Sequence, residues 1–231
     1  MMNETTAERL REWAAKYNDI KYFTEDPIAF PREFIRRGAG QKDIEIAALF
    51  AAHFAWGRRS MIVRDLERFF DYLEWKPLDY VLSQDYRDDD TSIHRTIKWK
   101  DTAAICAALR TVFSRGESLS EMDAATLRSR IFGSAPDPNA ANKKIHLMRR
   151  WMVRRDGKVD LGLWKNISPA ELIIPLDVHV HTQAVELGLT DRKSKDYRTA
   201  LQITRALEEV FPYDPCLGDY ALFGYGVSRN A

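Results

Sequence analysis

The sequence predicts an all-α protein, and two observations carry that prediction. Apolar residues recur mainly at the three- and four-residue spacing of amphipathic helices, and alternating strand-like segments are scarce. The chain has 231 residues, of which 30% are charged and 45% hydrophobic. This composition is typical of a globular protein with one domain or two small lobes.

Helix-start signals and periodicity place the individual helices. Asp26-Pro27 is a natural cap and first-turn pair, and it leads into a helix from Phe30 to Arg37. Asp43 opens a run from Ile44 to Phe54 that is apolar on nearly every side, which predicts a buried helix. The other predicted helices lie near Glu8 to Lys16, Ile62 to Leu73, Ile105 to Val112, Ala124 to Ile131, Asn142 to Arg154, Val178 to Leu187, Tyr197 to Phe211 and Asp219 to Phe223. The polar stretches Asp85 to Lys100 and Gly157 to Ile174 are predicted to be connectors.

Cysteine content and charge narrow the possible functions. Cys106 and Cys216 lie far apart and match no metal-ligand spacing, and two thiolates cannot hold a four-iron cluster. We therefore expect no cofactor and no metal. The sequence shows no signal peptide and no long apolar run, which favours a cytoplasmic protein that does not contact a membrane. The net charge of +1 neither indicates nor excludes nucleic-acid binding.

The helix from Asn142 to Arg154 carries the densest positive charge of the chain. At about 100° per residue, Lys143, Arg150 and Arg154 fall on one narrow stripe, with Trp151 on its flank. Such a stripe can follow a phosphate backbone, although a basic helix face can equally be a solvated surface. Arg58-Arg59 forms a second basic pair.

A single carboxylate stands at the start of the helix that follows Pro175-Leu176. The free N–H groups and partial positive charge of a helix N-terminus favour an anion, so Asp177 should remain ionised at neutral pH. A carboxylate held in this way can stabilise a developing cation, or it can simply cap its helix. The residue pattern alone leaves both roles open.

The order of these features resembles the helix-hairpin-helix DNA glycosylase superfamily, which includes endonuclease III and the 8-oxoguanine glycosylases. The specific part is Pro175 to His179 followed by Leu187-Gly188-Leu189, which is similar to the aspartate-bearing helix start of that superfamily. More narrowly, Leu147 to Arg154, Ile173 to His179 and Ala221 to Gly226 resemble a group of uncharacterised bacterial proteins regarded as distant relatives of these enzymes.

The resemblance implies a fold of two helical lobes with a cleft between them. Residues 38–156 would form a central lobe with an atypical hairpin region, and residues 1–37 and 157–231 would form the second lobe.

The resemblance also implies the chemistry. The protein would be a monomeric DNA glycosylase with AP-lyase capacity, acting on double-stranded DNA that carries a damaged base such as an oxidised purine. Asp177 would stabilise the cationic sugar, and Lys143 would form a Schiff base, with Lys144 as the next candidate. The residues expected to contact DNA or the base are His53, Arg58, Arg59, Lys144, Arg150, Trp151, Arg154 and His179.

Two alternatives come from other classes of protein. Asp177-Val178-His179-Val180-His181 also resembles the strand end of metal-dependent amidohydrolases, where alternate residues point two imidazoles at one metal. The helical pattern and the absence of any histidine after His181 count against this interpretation. The other alternative is a catalytically inactive nucleic-acid or protein-binding module on the same scaffold, because a fold does not guarantee the chemistry.

Overall fold

The computed structural model describes residues 2–229, and within them the chain forms eleven α-helices and one two-stranded antiparallel hairpin. The predicted all-α class is therefore confirmed. The helices are α1 (Glu4–Tyr17), α2 (Ala29–Arg36), α3 (Gln41–Phe54), α4 (Arg59–Tyr72), α5 (Pro77–Ser83), α6 (Trp99–Ser114), α7 (Ala124–Arg130), α8 (Lys143–Val153), α9 (Val178–Glu186), α10 (Tyr197–Glu208) and α11 (Cys216–Ser228), and the strands are β1 (Ser92–His94) and β2 (Ile97–Lys98).

Two features of the structure are absent from the sequence prediction. Helix α5 is only seven residues long and begins at Pro77, too short for a periodic pattern to identify it. The hairpin lies inside the stretch predicted as a connector, and its strands have three and two residues. Crossing a membrane takes about 20 apolar residues, and no helix within residues 2–229 has that combination of length and apolarity.

The chain divides into two compact units. The end unit comprises Met1–Tyr22 with Asp137–Ala231, and the middle unit comprises Phe23–Pro136. These bounds differ from the predicted division at residues 38 and 156, because α2 packs on α3 inside the middle unit and α8 belongs to the end unit.

In the middle unit, the hairpin is fastened to the turn that follows α3. The Nδ1 atom of buried His94 lies 2.8 Å from the Asp65 Oδ2 atom, and its Nε2 atom lies 3.0 Å from the carbonyl oxygen of Trp56. The Arg95 guanidinium lies 4.2 Å from the centre of the Trp56 ring. Gly57 has a φ of +107°, and a Cβ there would lie 2.7 Å from the Arg95 Nη1 atom, so the turn requires glycine.

In the end unit, α1, α9 and α10 all pack on α11. The glycines of α11 allow this close approach, because a Cβ at Gly224 would lie 2.3 Å from Cγ of Tyr17 and one at Gly218 would lie 2.5 Å from a methyl group of Leu207. The rings of Trp13 and Tyr225 stack with their centres 3.7 Å apart. Helix α11 is thus the element around which the end unit is built.

We expect Gly224→Ala to lower the free energy of unfolding by about 1–2 kcal/mol in urea denaturation. Overpacking costs about 1–3 kcal/mol, and the better helix propensity of alanine returns up to about 1 kcal/mol. The matched control is Gly226→Ala, whose Cβ would meet side-chain atoms at 3.2 Å and should cost less. Equal stability of Gly224→Ala and the wild type would contradict the close packing of α1 on α11.

Candidate functional site

The structure brings the two predicted catalytic residues together in the end unit. Lys143 is the first residue of α8, and Asp177 is the N-cap of α9. The Lys143 Nζ atom lies 3.6 Å from the Asp177 Oδ2 atom, although the residues are 177 − 143 = 34 positions apart. The side chains are 32% and 13% exposed, so the pair is accessible from solvent.

The local sequence explains how the Asp177 carboxylate is held. Leu176 is buried and fixes the segment that leads into α9. Asp177 adopts an extended conformation, and its Oδ1 atom accepts a hydrogen bond of 3.0 Å from the backbone N–H of Val180. One carboxylate oxygen therefore caps the helix while the other faces Lys143.

Lys144 is half-buried and has the properties of a reactive amine. Burial lowers the pKa of its ammonium group to about 8, and the neighbouring charge of Lys143 lowers the pKa in the same direction. An amine with this pKa is partly neutral near physiological pH, which nucleophilic attack requires. The sequence makes Lys144 the second candidate after Lys143. The lowered pKa of Lys144 comes from the burial of its side chain, which the sequence does not show.

Two arginines of the predicted basic stripe are buried in ion pairs. Arg150 and Arg154 are 4% and 1% exposed. The Arg154 guanidinium lies 2.5 Å from Asp160 and 2.8 Å from Asp214, while Arg150 bonds to Asp219 and lies 3.4 Å from Asp160. We call these five residues the arginine–aspartate network. Carboxylates of the same unit already surround Arg150 and Arg154, so this geometry does not support the predicted contacts of these two residues with DNA phosphates.

Asp219 links the network electrostatically to the candidate site. Burial, with a smaller contribution from the negative charge of Asp177, raises the pKa of its carboxyl group to about 6 against the opposing effect of Arg150. The Oδ2 atom of Asp219 bonds to Arg150, whereas its Oδ1 atom has no hydrogen-bond partner within residues 2–229. Asp219 lies in an otherwise apolar helix, and a charge in such a run is the signal that could have indicated a buried partner.

The two other predicted DNA contacts of the end unit pack against neighbouring side chains. Trp151 is fully buried, so this structure presents no face of its ring for the predicted contact with a base. His179 is half-buried, and its ring meets the Phe223 ring edge-on with their centres 6.1 Å apart. The α9–α11 packing accounts for this position of His179.

The remaining predicted contacts, His53, Arg58 and Arg59, belong to the middle unit. The ring of His53 lies 5.1 Å from that of Phe132. Arg58 is exposed at the start of α4, and the Arg59 Nη2 atom lies 3.7 Å from the Asp26 carboxylate. A role for these three residues in DNA binding stays a prediction.

The amidohydrolase alternative requires a strand that contains His179 and His181, and the structure has a helix there. Val178 to Glu186 is helical, so His179 and His181 do not point in one direction. The His181 Nε2 atom lies 2.9 Å from the carbonyl oxygen of Arg192. In the described residues, no group of three or more histidine, cysteine, aspartate or glutamate side chains could hold a metal ion.

A family model described as "Protein of unknown function (DUF2400)" matches residues 26–131 and 125–228 of the chain. The chain belongs to this family. The two matches together span residues 26–228, and the second contains Lys143, Asp177 and the whole arginine–aspartate network. No curated protein and no solved structure matches the DUF2400 chain. The family description assigns no activity to its members.

We expect Lys144 to titrate near pH 8, about two units below an ordinary lysine. Competitive acetylation at increasing pH, read by peptide mass spectrometry, measures this midpoint. Exposed Lys165 is the internal control, and its labelling is followed in the same samples. Lys143→Ala should raise the pKa of Lys144, because it removes a neighbouring positive charge. A wild-type midpoint equal to that of Lys165 would contradict this environment.

Proposed function

We propose that this DUF2400 protein is a DNA N-glycosylase with AP-lyase capacity, related to the helix-hairpin-helix glycosylases and acting in the cytoplasm. Its substrate would be double-stranded DNA with a damaged base, such as an oxidised purine. The observation that carries the proposal is the Lys143–Asp177 pair, in which an ammonium group and a helix-capping carboxylate lie 3.6 Å apart. The buried free thiols of Cys106 and Cys216 are consistent with a reducing compartment.

The proposed reaction uses these two side chains in different ways. As the bond between the sugar and the base breaks, positive charge grows on the sugar, and the Asp177 carboxylate stabilises that charge. The departing base takes a proton from solvent. Lys143 loses its ammonium proton to solvent, and its neutral amine forms a bond to C1′ of the sugar. The bond between C1′ and the ring oxygen then breaks, the ring oxygen takes a proton from the attached nitrogen, and a Schiff base remains. Lys144 is the second candidate for this attack, because its lowered pKa increases the fraction of the amine that is neutral near physiological pH.

The set of proposed DNA contacts is smaller than the sequence suggests, because Arg150 and Arg154 of the arginine–aspartate network are left out of it. Lys143, Lys144, Arg58 and Arg59 remain as the candidates for phosphate contacts, because they are exposed or half-buried. Each contact of this kind releases counterions from DNA, so binding should weaken as salt is added. A protein that relies on few contacts should show a shallow salt dependence. We propose that it binds DNA as a monomer.

A catalytically inactive binding module on the same scaffold is the second candidate function. The observation that favours it is the ion pair itself, because an ammonium group held in an ion pair is not a nucleophile. The two candidates differ in covalent chemistry, which the following experiments measure directly.

We expect borohydride to trap the wild-type protein covalently on DNA that contains an abasic site. Lys143→Ala should abolish trapping, because the amine closest to Asp177 is lost. Lys144→Ala tests the second amine, and Lys165→Ala is the control because Lys165 is an exposed lysine of the same unit. Loss of trapping in Lys144→Ala alone would assign the nucleophile to Lys144. Absence of trapping in the wild type, despite DNA binding, would support the inactive module.

We expect Asp177→Asn to slow base excision on the order of a hundredfold or more, because the negative charge that opposes the sugar cation is lost. Asparagine also caps helices, so the melting temperature should change by only a few degrees. The control is Asp123→Asn, which alters the equivalent cap of α7 and should leave excision unchanged. If Asp177→Asn excises bases at the wild-type rate, Asp177 is only a helix cap.

A further inference from the structure

The middle unit contains a cavity with a volume of about 240 Å³, distinct from the residues of the proposed active site. It is lined by Arg68, Tyr72, Arg87, Thr91, Ser92 and Trp99. Four of these residues are exposed, so the cavity opens to solvent, whereas Trp99 is buried and closes its floor. We call it the Arg68 cavity.

Arg68 supplies a positive charge that no carboxylate of residues 2–229 neutralises through an ion pair. Its Nη2 atom donates to the carbonyl oxygen of Ile93 at 2.5 Å and lies 3.5 Å from that of Ser92. These backbone contacts orient the guanidinium group without offsetting its charge. The orientation leaves the Nε and Nη1 groups as donors for an anion, for which a planar guanidinium is well suited.

Arg87 has a different role in the same cavity. Its Nε atom donates to Asp89 at 2.7 Å and its Nη2 atom donates to the Thr91 hydroxyl at 3.0 Å. Hydrogen bonds from Thr91 and Arg87 lower the pKa of Asp89 to about 2, so this carboxylate is ionised and offsets the charge of Arg87. The Arg87 guanidinium also lies 4.5 Å from the centre of the Trp99 ring. These contacts hold Arg87 in place as part of the cavity lining. Since Asp89 offsets its charge, the net positive charge of the cavity is that of Arg68.

Tyr72 adds an accessible aromatic surface one helical turn after Arg68. Because the two residues are four positions apart on α4, they project from the same face. Tyr72 is 47% exposed, and its ring centre lies 4.6 Å from that of buried Trp99. A ring that is supported on one side and exposed at a cavity rim can stack on a flat group of a ligand.

We propose that the Arg68 cavity binds a nucleoside monophosphate, with the phosphate on Arg68 and the base on Tyr72. The neighbouring cation and aromatic ring match a ligand that joins an anion to a planar ring. The volume is below the range of about 300–1,000 Å³ for drug-sized ligands, which favours a mononucleotide over a dinucleotide. This inference does not depend on glycosylase activity, because every lining residue lies in the middle unit.

Titration calorimetry with four probes tests the ligand class. AMP should bind more tightly than inorganic phosphate or adenosine, each of which supplies only half of the contacts. Benzoate joins a carboxylate to a ring, and tighter binding of benzoate than of AMP would overturn the phosphate assignment. No measurable binding of AMP at millimolar concentration would overturn the proposal.

Variants then test the position of the ligand. Arg68→Gln keeps a hydrogen-bond donor for the hairpin carbonyls but loses the charge, and it should bind AMP at least about tenfold more weakly. Tyr72→Ala should weaken binding by about tenfold, whereas Tyr72→Phe keeps the stacking surface and should bind normally. Arg115→Ala, which removes an exposed arginine of the same unit, is the control. Binding that survives Arg68→Gln and is lost in Lys143→Ala would place the nucleotide at the other site and overturn the proposal.

A measurement on the wild-type protein makes the test independent of variant folding. AMP should protect Tyr72 from nitration by tetranitromethane, measured by peptide mass spectrometry. Tyr213 is 82% exposed and belongs to the end unit, so its nitration should not change. Equal nitration of Tyr72 with and without bound AMP would contradict stacking on that ring.

Discussion

The arginine–aspartate network is the interaction on which the end unit depends. Arg150 lies in the last turn of α8, and Arg154 follows one turn later as the C-cap of that helix. The carboxylates of the network come from different parts of the chain, at Asp160, Asp214 and Asp219. Burying a charge costs several kcal/mol unless it is paired, and removal of one partner costs about 3–5 kcal/mol because another charge is left uncompensated. The network therefore restricts how α8 can sit against α11. Lys143, at the start of the same helix, reaches Asp177 from that restricted position.

The same network shows why a basic stripe on a helical projection does not by itself predict DNA binding. The projection correctly indicates that Lys143, Arg150 and Arg154 share one side of α8. It does not show whether that side meets water or carboxylates, because the carboxylates of the network other than Asp160 lie 60 and 69 positions away from their arginines in the chain. Only Lys143, at the end of the stripe, retains substantial exposure. Two of the three residues of the stripe, Arg150 and Arg154, are therefore buried in ion pairs and do not face solvent.

The sequence predicts those features of the fold that depend on neighbouring residues. It does not predict the features that depend on contacts between residues far apart in the chain. Periodic apolar residues identify long helices such as α3 and α10, whereas seven-residue α5 and the hairpin give too few positions for a pattern. The position of Asp177 at a helix start follows from the sequence, because capping is a local property. Its approach to Lys143 is a tertiary contact that was expected only from the family resemblance. The burial of Lys144 and the Arg68 cavity depend on packing, and no spacing of residues indicates them.

The two adjacent lysines of α8 lie in different surroundings, and this contrast bears on the covalent chemistry proposed for the site. The Lys143 Nζ atom lies 3.6 Å from the Asp177 carboxylate and forms an ion pair with it. The half-buried environment of Lys144 favours the neutral amine and lowers its pKa to about 8. In the proposed reaction, the carboxylate that opposes the sugar cation and the amine that attacks C1′ are the two partners of one ion pair, so the two roles are coupled. A substrate sugar would have to separate this pair before either side chain could act on it. The lowered pKa of Lys144 comes from burial, and this difference is what distinguishes the two candidate nucleophiles.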